Sequence, residues 1–147
     1  DGQAILWNIE TYTGNVIARH DYIVWRVCVN PLSSRVATGG SESWLAEGRP
    51  NRINVVEVRI EGTIKSLLDH YSIKAKGPVK ALSFDKHGSL VLAACNDDTL
   101  WLWSGKGDPK PIKHNFGKIL ALSQDATKVA AQKDEGFAIW DIAHLVK

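Results

Sequence analysis

Methionine is absent from this chain and cysteine occurs twice. No apolar run approaches the roughly 18 residues that a membrane-crossing helix requires, and the start shows no signal-peptide pattern. No membrane is therefore expected among the partners. Cys28 and Cys95 each sit inside an apolar run, which reads as a buried, reduced thiol. Two thiols without further ligands at short spacing do not make a zinc site. The expected compartment is reducing and intracellular, cytoplasmic or nuclear. The net charge is only +2, too small by itself to argue for nucleic acid or an anionic surface. Chemistry-bearing patterns are also missing. Gly39-Gly40 and Gly105-Lys106-Gly107 lack the spacing and following helix of a phosphate loop. There is no nucleophile elbow, HExxH or CxxC. The carboxylates Glu57, Glu61 and Asp69 are scattered rather than paired for acid–base work. No enzyme activity, cofactor or metal is expected.

What is present is a repeat. At 44% hydrophobic and 23% charged residues, the chain has the balance of a folded globular protein. An aspartate followed six positions later by tryptophan occurs three times: Asp1 to Trp7, Asp97 to Trp103 and Asp134 to Trp140. Histidines fall between, at His20, His70 and His114. After each comes an apolar alternation, a turn and a small apolar run: Val24 to Gly40, Val79 to Cys95, and Ile119 to Gln132. Alternation at period two is the strand signal. Breaks fall at Asn30-Pro31-Leu32-Ser33, Asp85-Lys86-His87-Gly88 and Asp125-Ala126-Thr127. With Val56 in the tryptophan place of the second copy, the tryptophan-equivalent positions are 7, 56, 103 and 140, spaced by 49, 47 and 37 residues. That brackets the roughly 40–45 residues of a four-stranded propeller blade.

These elements resemble the WD-repeat family of β-propellers over essentially the whole chain. The last copy carries the literal Trp140-Asp141 pair, whereas the others read Trp7-Asn8, Val56-Glu57 and Trp103-Ser104. The resemblance implies an all-β fold of four-stranded antiparallel blades. It divides the chain into 1–20 (end of a blade), 21–70, 71–114 and 115–147, the last open at its C-terminal end. About three blades plus part-blades is fewer than a closed ring needs, and Asp1-Gly2 reads as the middle of a turn. A partial propeller is thus expected, completed by blades of the same or another chain. The resemblance also implies a buried tetrad of aspartate, histidine, serine or threonine, and tryptophan. Asp97, Trp103 and His70 match three of its members, and Asp134, Trp140 and His114 match them in the next copy. The hydroxyl position falls at Cys95 and Gln132, leaving both tetrads incomplete. Recurrence in every unit assigns His20, His70, His114, Asp97, Asp134, Trp7, Trp103 and Trp140 to structure rather than chemistry. Trp101, on the same strand face as Trp103, packs beside it or extends to a partner.

By resemblance, the function is a non-catalytic scaffold for other proteins or peptides, a recognition module of a larger multi-protein assembly. An insert of twelve residues, SESWLAEGRPNR, opens on the family's usual partner face. Trp44, Arg49 and Arg52 on the insert, with Tyr22 and Trp25 at the next inner strand, are the candidate anchors, aromatic and arginine side chains being the commonest. The alternative for Trp44 is to fold back on its own blade. Lysines at inner-strand starts, Lys76, Lys80 and Lys118, support the alternative of a face that binds RNA or another phosphate-rich partner. They equally suit an exposed edge kept from aggregating.

Overall fold

In the computed structural model, the described residues are 2–20, 23–30, 32, 34–41, 51–61, 63–75, 78–96, 98–104, 107–112 and 114–145, with side chains undescribed at 41, 51, 58–61 and 63–75. No helix occurs among them, and all sheet pairings are antiparallel. The first sheet pairs β1 (Gln3–Asn8) with β2 (Thr13–Arg19). The second holds β3 (Ile23–Val29), β4 (Arg35–Ser41), β5 (Asn51–Glu61) and β6 (Thr63–Ala75) in that order. The third holds β7 (Val79–Phe84), β8 (Val91–Cys95), β9 (Leu100–Trp103) and β10 (Lys110–Ile112), again consecutively. The fourth holds β11 (Lys118–Leu122), β12 (Lys128–Lys133) and β13 (Gly136–Asp141). The arc is not closed, as expected of a partial propeller.

The turn after each first strand is closed in the same way. Asn30, Asp85 and Ser123 each donate their backbone N–H to a carbonyl at or just before the start of the next strand, at Arg35, Leu90 and Lys128, over 2.9, 2.9 and 3.0 Å. Their side-chain oxygens accept backbone N–H groups within the turn: from Leu32 at Asn30, from His87 and Leu90 at Asp85, and from Thr127 and Lys128 at Ser123. Short oxygen-bearing side chains suit these places because they satisfy turn donors locally.

The sheets pack face to face, and an apolar cluster fills each of three gaps. Ala4, Ile17 and Ala18 meet Val36 and Val56 between the first two sheets. Ile53 and Val55 meet Val79, Phe84, Val91 and Trp103 between the second and third. Leu92 and Leu100 meet Ile119, Val129, Phe116 and Ile142 between the third and fourth. β8 is covered on both faces, so all five of its residues are buried and VLAAC is continuously apolar. Burying each Leu, Ile or Val of this kind stabilises the fold by about 1.5–3 kcal/mol.

Polar links cross the same gaps. Arg35 Nη1 donates to the carbonyls of Gly88 and Ser89 at 3.0 and 3.1 Å, and Nη2 to Ser104 at 2.9 Å. Arg26 Nε donates to the Lys80 carbonyl. Ser83 Oγ reaches the carbonyls of Ser123 and Gln124 at 2.7 and 2.9 Å. Asp98 Oδ1 accepts the Ile119 N–H at 3.2 Å.

Trp7 is 59% exposed, because it stands on the outer face of the two-stranded sheet, over Gly14, where no other sheet covers it. His70 lies within β6, opposite Val56. β5 and β6 form a long hairpin of 11 and 13 residues, so the second sheet runs to Ala75 and past the boundary expected at 70. Phe137 and Ile139 on the outer face of β13 are exposed for the same reason as Trp7.

Candidate partner-binding rim and the opposite turn edge

The first strands β3, β7 and β11 lie side by side along the arc. Antiparallel order puts the starts of the first and third strands of the second, third and fourth sheets at one edge. Trp25, Lys80 and Lys118 occupy the same place in three successive sheets, five residues before Asn30, Asp85 and Ser123. In β3 and β7 the register shifts there, between Val24 and Arg26 and between Val79 and Ala81, leaving Trp25 and Lys80 as the extra residues. In β11 the shift falls at Leu120. A bulge lifts its residue out of the ladder and re-aims it. Trp25 is 51% exposed and Lys118 is exposed, whereas Lys80 Nζ lies 3.1 Å from Asp98 Oδ1. Arg52, near the start of β5, is half-buried at the same edge. The arrangement brings Trp25, Arg52, Lys80 and Lys118 onto one rim. Tyr22, Trp44, Arg49, Lys76 and Asp97 lie outside the described residues.

The opposite edge, where the first turns cluster, carries two grooves that sequence reasoning missed. One, of about 580 Å³, is lined by the turns after β7 and β11 and by the segment after β13; it includes Asp85, Lys86, His87, Asp125, Asp141 and His144. The other, of about 500 Å³, shares Asp85, Lys86 and Asp125 and adds Val29, Asn30, Leu32, Phe84 and Gln124. Asp125 is held down to about 2 by hydrogen bonds from the Ser123 hydroxyl first, then from the Thr127 hydroxyl and backbone N–H. His87 and His144 are far apart in sequence and line one groove because consecutive sheets align their turns. The polar turn segments at 85–87 and 124–127 were the available signal.

Residues 63–104, from β6 to the residue after β9, match the family "WD domain, G-beta repeat". The chain carries a WD repeat in a propeller-type fold. Among solved structures, a chain of the "Crystal Structure of Mitotic Checkpoint Complex" superposes with a TM-score of 0.63 at 17% identity, covering 97% of this chain and 44% of that one. This chain thus spans less than half the length of that one, and the likeness concerns the fold. A search of curated protein sequences gives no match.

The tryptophan of the WD repeat, Trp103, is 4% exposed, and its Nε1 donates to the Gly107 carbonyl at 2.9 Å; Asp97 and the His70 side chain, its expected tetrad partners, lie outside the described residues. Trp101 packs on the same cluster and donates to Thr99 Oγ1 at 2.7 Å. In the next unit, His114 stacks on Phe116 at 4.4 Å and meets the half-buried Trp140 ring edge-on at 4.7 Å. Asp134 is not brought to them as a buried member. It sits exposed in the tight turn after β12, with φ at 53°. A part-buried polar network joins His20 to the second sheet. His20 Nε2 is 2.8 Å from Thr38 Oγ1 and 2.9 Å from Asn54 Nδ2, both of these residues being buried. Gly40 makes room: a Cβ there would stand 2.5 Å from His20 Nδ1. Polar residues at inward positions of otherwise apolar strands, Thr38 and Asn54, were the signal for this network. Cys28 and Cys95 are not joined in a disulfide, and burial pushes the Cys28 thiol up to about 12.

Proposed function

We propose that the chain is a non-catalytic protein-interaction scaffold, a recognition module of a larger multi-protein assembly that docks proteins or peptides on the rim of Trp25, Arg52, Lys80 and Lys118. The observation that carries this is Trp25, an indole lifted by a bulge and half-exposed on a sheet that is locked to its neighbour. A rigid platform loses little conformational entropy on binding, and exposed tryptophan is a favoured anchor. The WD repeat and the likeness to a chain of a multi-protein complex support the same reading. So do the reduced thiols, which suit a cytoplasmic or nuclear setting. Trp7 and Phe137, exposed on the two outward faces of the arc, suit coverage by further blades of the same or another chain.

The test is affinity capture with the wild-type chain, Trp25→Ala and Lys118→Ala, followed by salt titration of each retained protein. Partners lost with Trp25→Ala and insensitive to salt support the reading. A retained set identical in all three variants would overturn it. Steep salt dependence with loss at Lys118 would favour a phosphate-rich partner instead. Lys80, already paired with Asp98, adds little charge to that alternative.

A further inference from the structure

We propose that the chain associates head-to-tail with a second copy of itself, the exposed face of its fourth sheet packing on the exposed outer face of the copy's first sheet; this narrows the reading of those two faces as covered by further blades, and rests on it. The three gaps inside the arc follow one rule. Counted from the tryptophan-equivalent positions, the residues one and three places earlier point toward the following sheet, and the position itself and the one two places earlier point toward the preceding sheet. Ala4 and Leu6 thus meet Val56 in the first gap. Ile53 and Val55 meet Trp101 and Trp103 in the second, and Leu100 and Leu102 meet Trp140 in the third.

Each end of the arc displays one half of this pattern without the other. In the first sheet, Ile5 and Trp7 stand where Trp101 and Trp103 stand in the third, and they are 41% and 59% exposed. Gly14 lies under both: a Cβ there would fall 3.0 Å from Ile5 Cγ2 and 3.0 Å from the Trp7 ring. The indole therefore lies across the glycine and presents its other side outward as an apolar plate. At the far end, Phe137 and Ile139 stand where Leu100 and Leu102 stand in the third sheet, and they are 82% and 74% exposed.

The relief of the two faces also matches. In the second gap, Cys28, Ala37 and Val55 are cross-strand neighbours in one row of the second sheet, and they belong to the cluster that packs on Trp101 and Trp103. Ala121, Ala130 and Ile139 form the corresponding row across the fourth sheet. Two small side chains beside a branched one leave room for an indole in both places. An isologous pair, first sheet against first sheet, would set two tryptophan-type faces together, and none of the three gaps joins its sheets in that way. The arc carries one face of each type, so a second copy supplies at each end the face that is lacking. That is a heterologous interface, which closes into a ring or grows. Exposed apolar faces of this kind mark sites of association.

The experiment is sedimentation equilibrium of the full chain across a concentration series, with Trp7→Glu and Phe137→Glu run singly and mixed in equal amounts. The wild type is expected as a dimer or larger, and each single variant as the 16.2 kDa monomer. Both substituted side chains are exposed, so both variants should keep the β-sheet circular dichroism of the wild type. Should either fail to fold, Ile5→Lys or Ile139→Lys replaces it on the same face. The mixture should give a one-to-one dimer and nothing larger, built from the unaltered fourth sheet of one variant and the unaltered first sheet of the other. Trp25→Ala should associate like the wild type. A monomeric wild type, self-association retained in either variant, or a mixture that stays monomeric would each overturn the proposal. A monomeric wild type that captures another protein, lost with Trp7→Glu or Phe137→Glu, would put a different polypeptide in the copy's place and would also overturn it. A monomer with rim capture intact refutes the head-to-tail copy alone, and loss of rim capture with association intact refutes the rim alone.

Discussion

Arg35 joins two consecutive sheets through one side chain, and its removal tests how the arc is held together. From the start of β4, its guanidinium spans three carbonyls of the third sheet's turns and lies 5.9 Å from the Phe84 ring centroid. A net contribution of about 1 kcal/mol per hydrogen bond would sum to about 3 kcal/mol. Water can reach the carbonyls of Ser89 and Ser104, both exposed residues, once the guanidinium has gone. That compensation brings the expected cost of Arg35→Met to about 2 kcal/mol. For a chain of this size it corresponds to a fall in Tm of about 4–8 °C. Urea unfolding should show the midpoint fall with the slope unchanged, since the surface exposed on unfolding is nearly the same. Arg35→Lys keeps the charge but loses the fork that reaches Gly88, Ser89 and Ser104 together, so it should recover less than half of the loss. A cost below about 0.5 kcal/mol, the range of ordinary surface substitutions, would refute the clamp.

The remaining predictions concern local chemistry. Gly40→Ala drives a methyl group into the His20 ring and should cost about 1–3 kcal/mol in thermal unfolding, a penalty relieved in the Gly40→Ala, His20→Ala double variant. Thr38→Val removes one partner of the half-buried His20 imidazole and should cost about 1–2 kcal/mol by the same measurement. Cys28, with its thiol pushed up to about 12, should resist iodoacetamide at pH 8. Because the unfolded thiol ionises near its ordinary value of 9.0, the fold should lose stability as pH rises from there toward 12, and Cys28→Ser should lack that slope. The depressed Asp125 carboxyl acts in the opposite direction. Its contribution is present above the ordinary value of 3.8 and is lost as pH falls through about 2, so Asp125→Asn should flatten acid unfolding in that window.

The strands were legible because their signals are local. Val56, a poor match to tryptophan by residue type, stands opposite Val36, as Trp103 stands opposite Val91 and Trp140 opposite Val129. Position within the period was a better guide than residue identity. The polar contacts were not legible in this way. His20 finds Thr38 and Asn54, 18 and 34 residues on, and only the paired backbones of β4 and β5 set those two side chains together. Asp134, marked out by its spacing from tryptophan, ends in solvent because a two-residue turn leaves it no wall to pack against. The grooves were hidden for a related reason: each needs the turns of two or more sheets side by side, and no single segment shows that.

The bulges have a consequence for how substitutions along the first strands should be read. In β7, Val79 faces the second sheet, yet Ala81, two residues on, faces the fourth. A scan of single substitutions that assumed strict alternation would place every residue beyond Lys80 on the wrong side of the sheet. Tolerance along β3 and β7 should therefore change phase by one residue at Trp25 and Lys80, and along β11 at Leu120. That slip would be a register mark readable from growth or binding data alone.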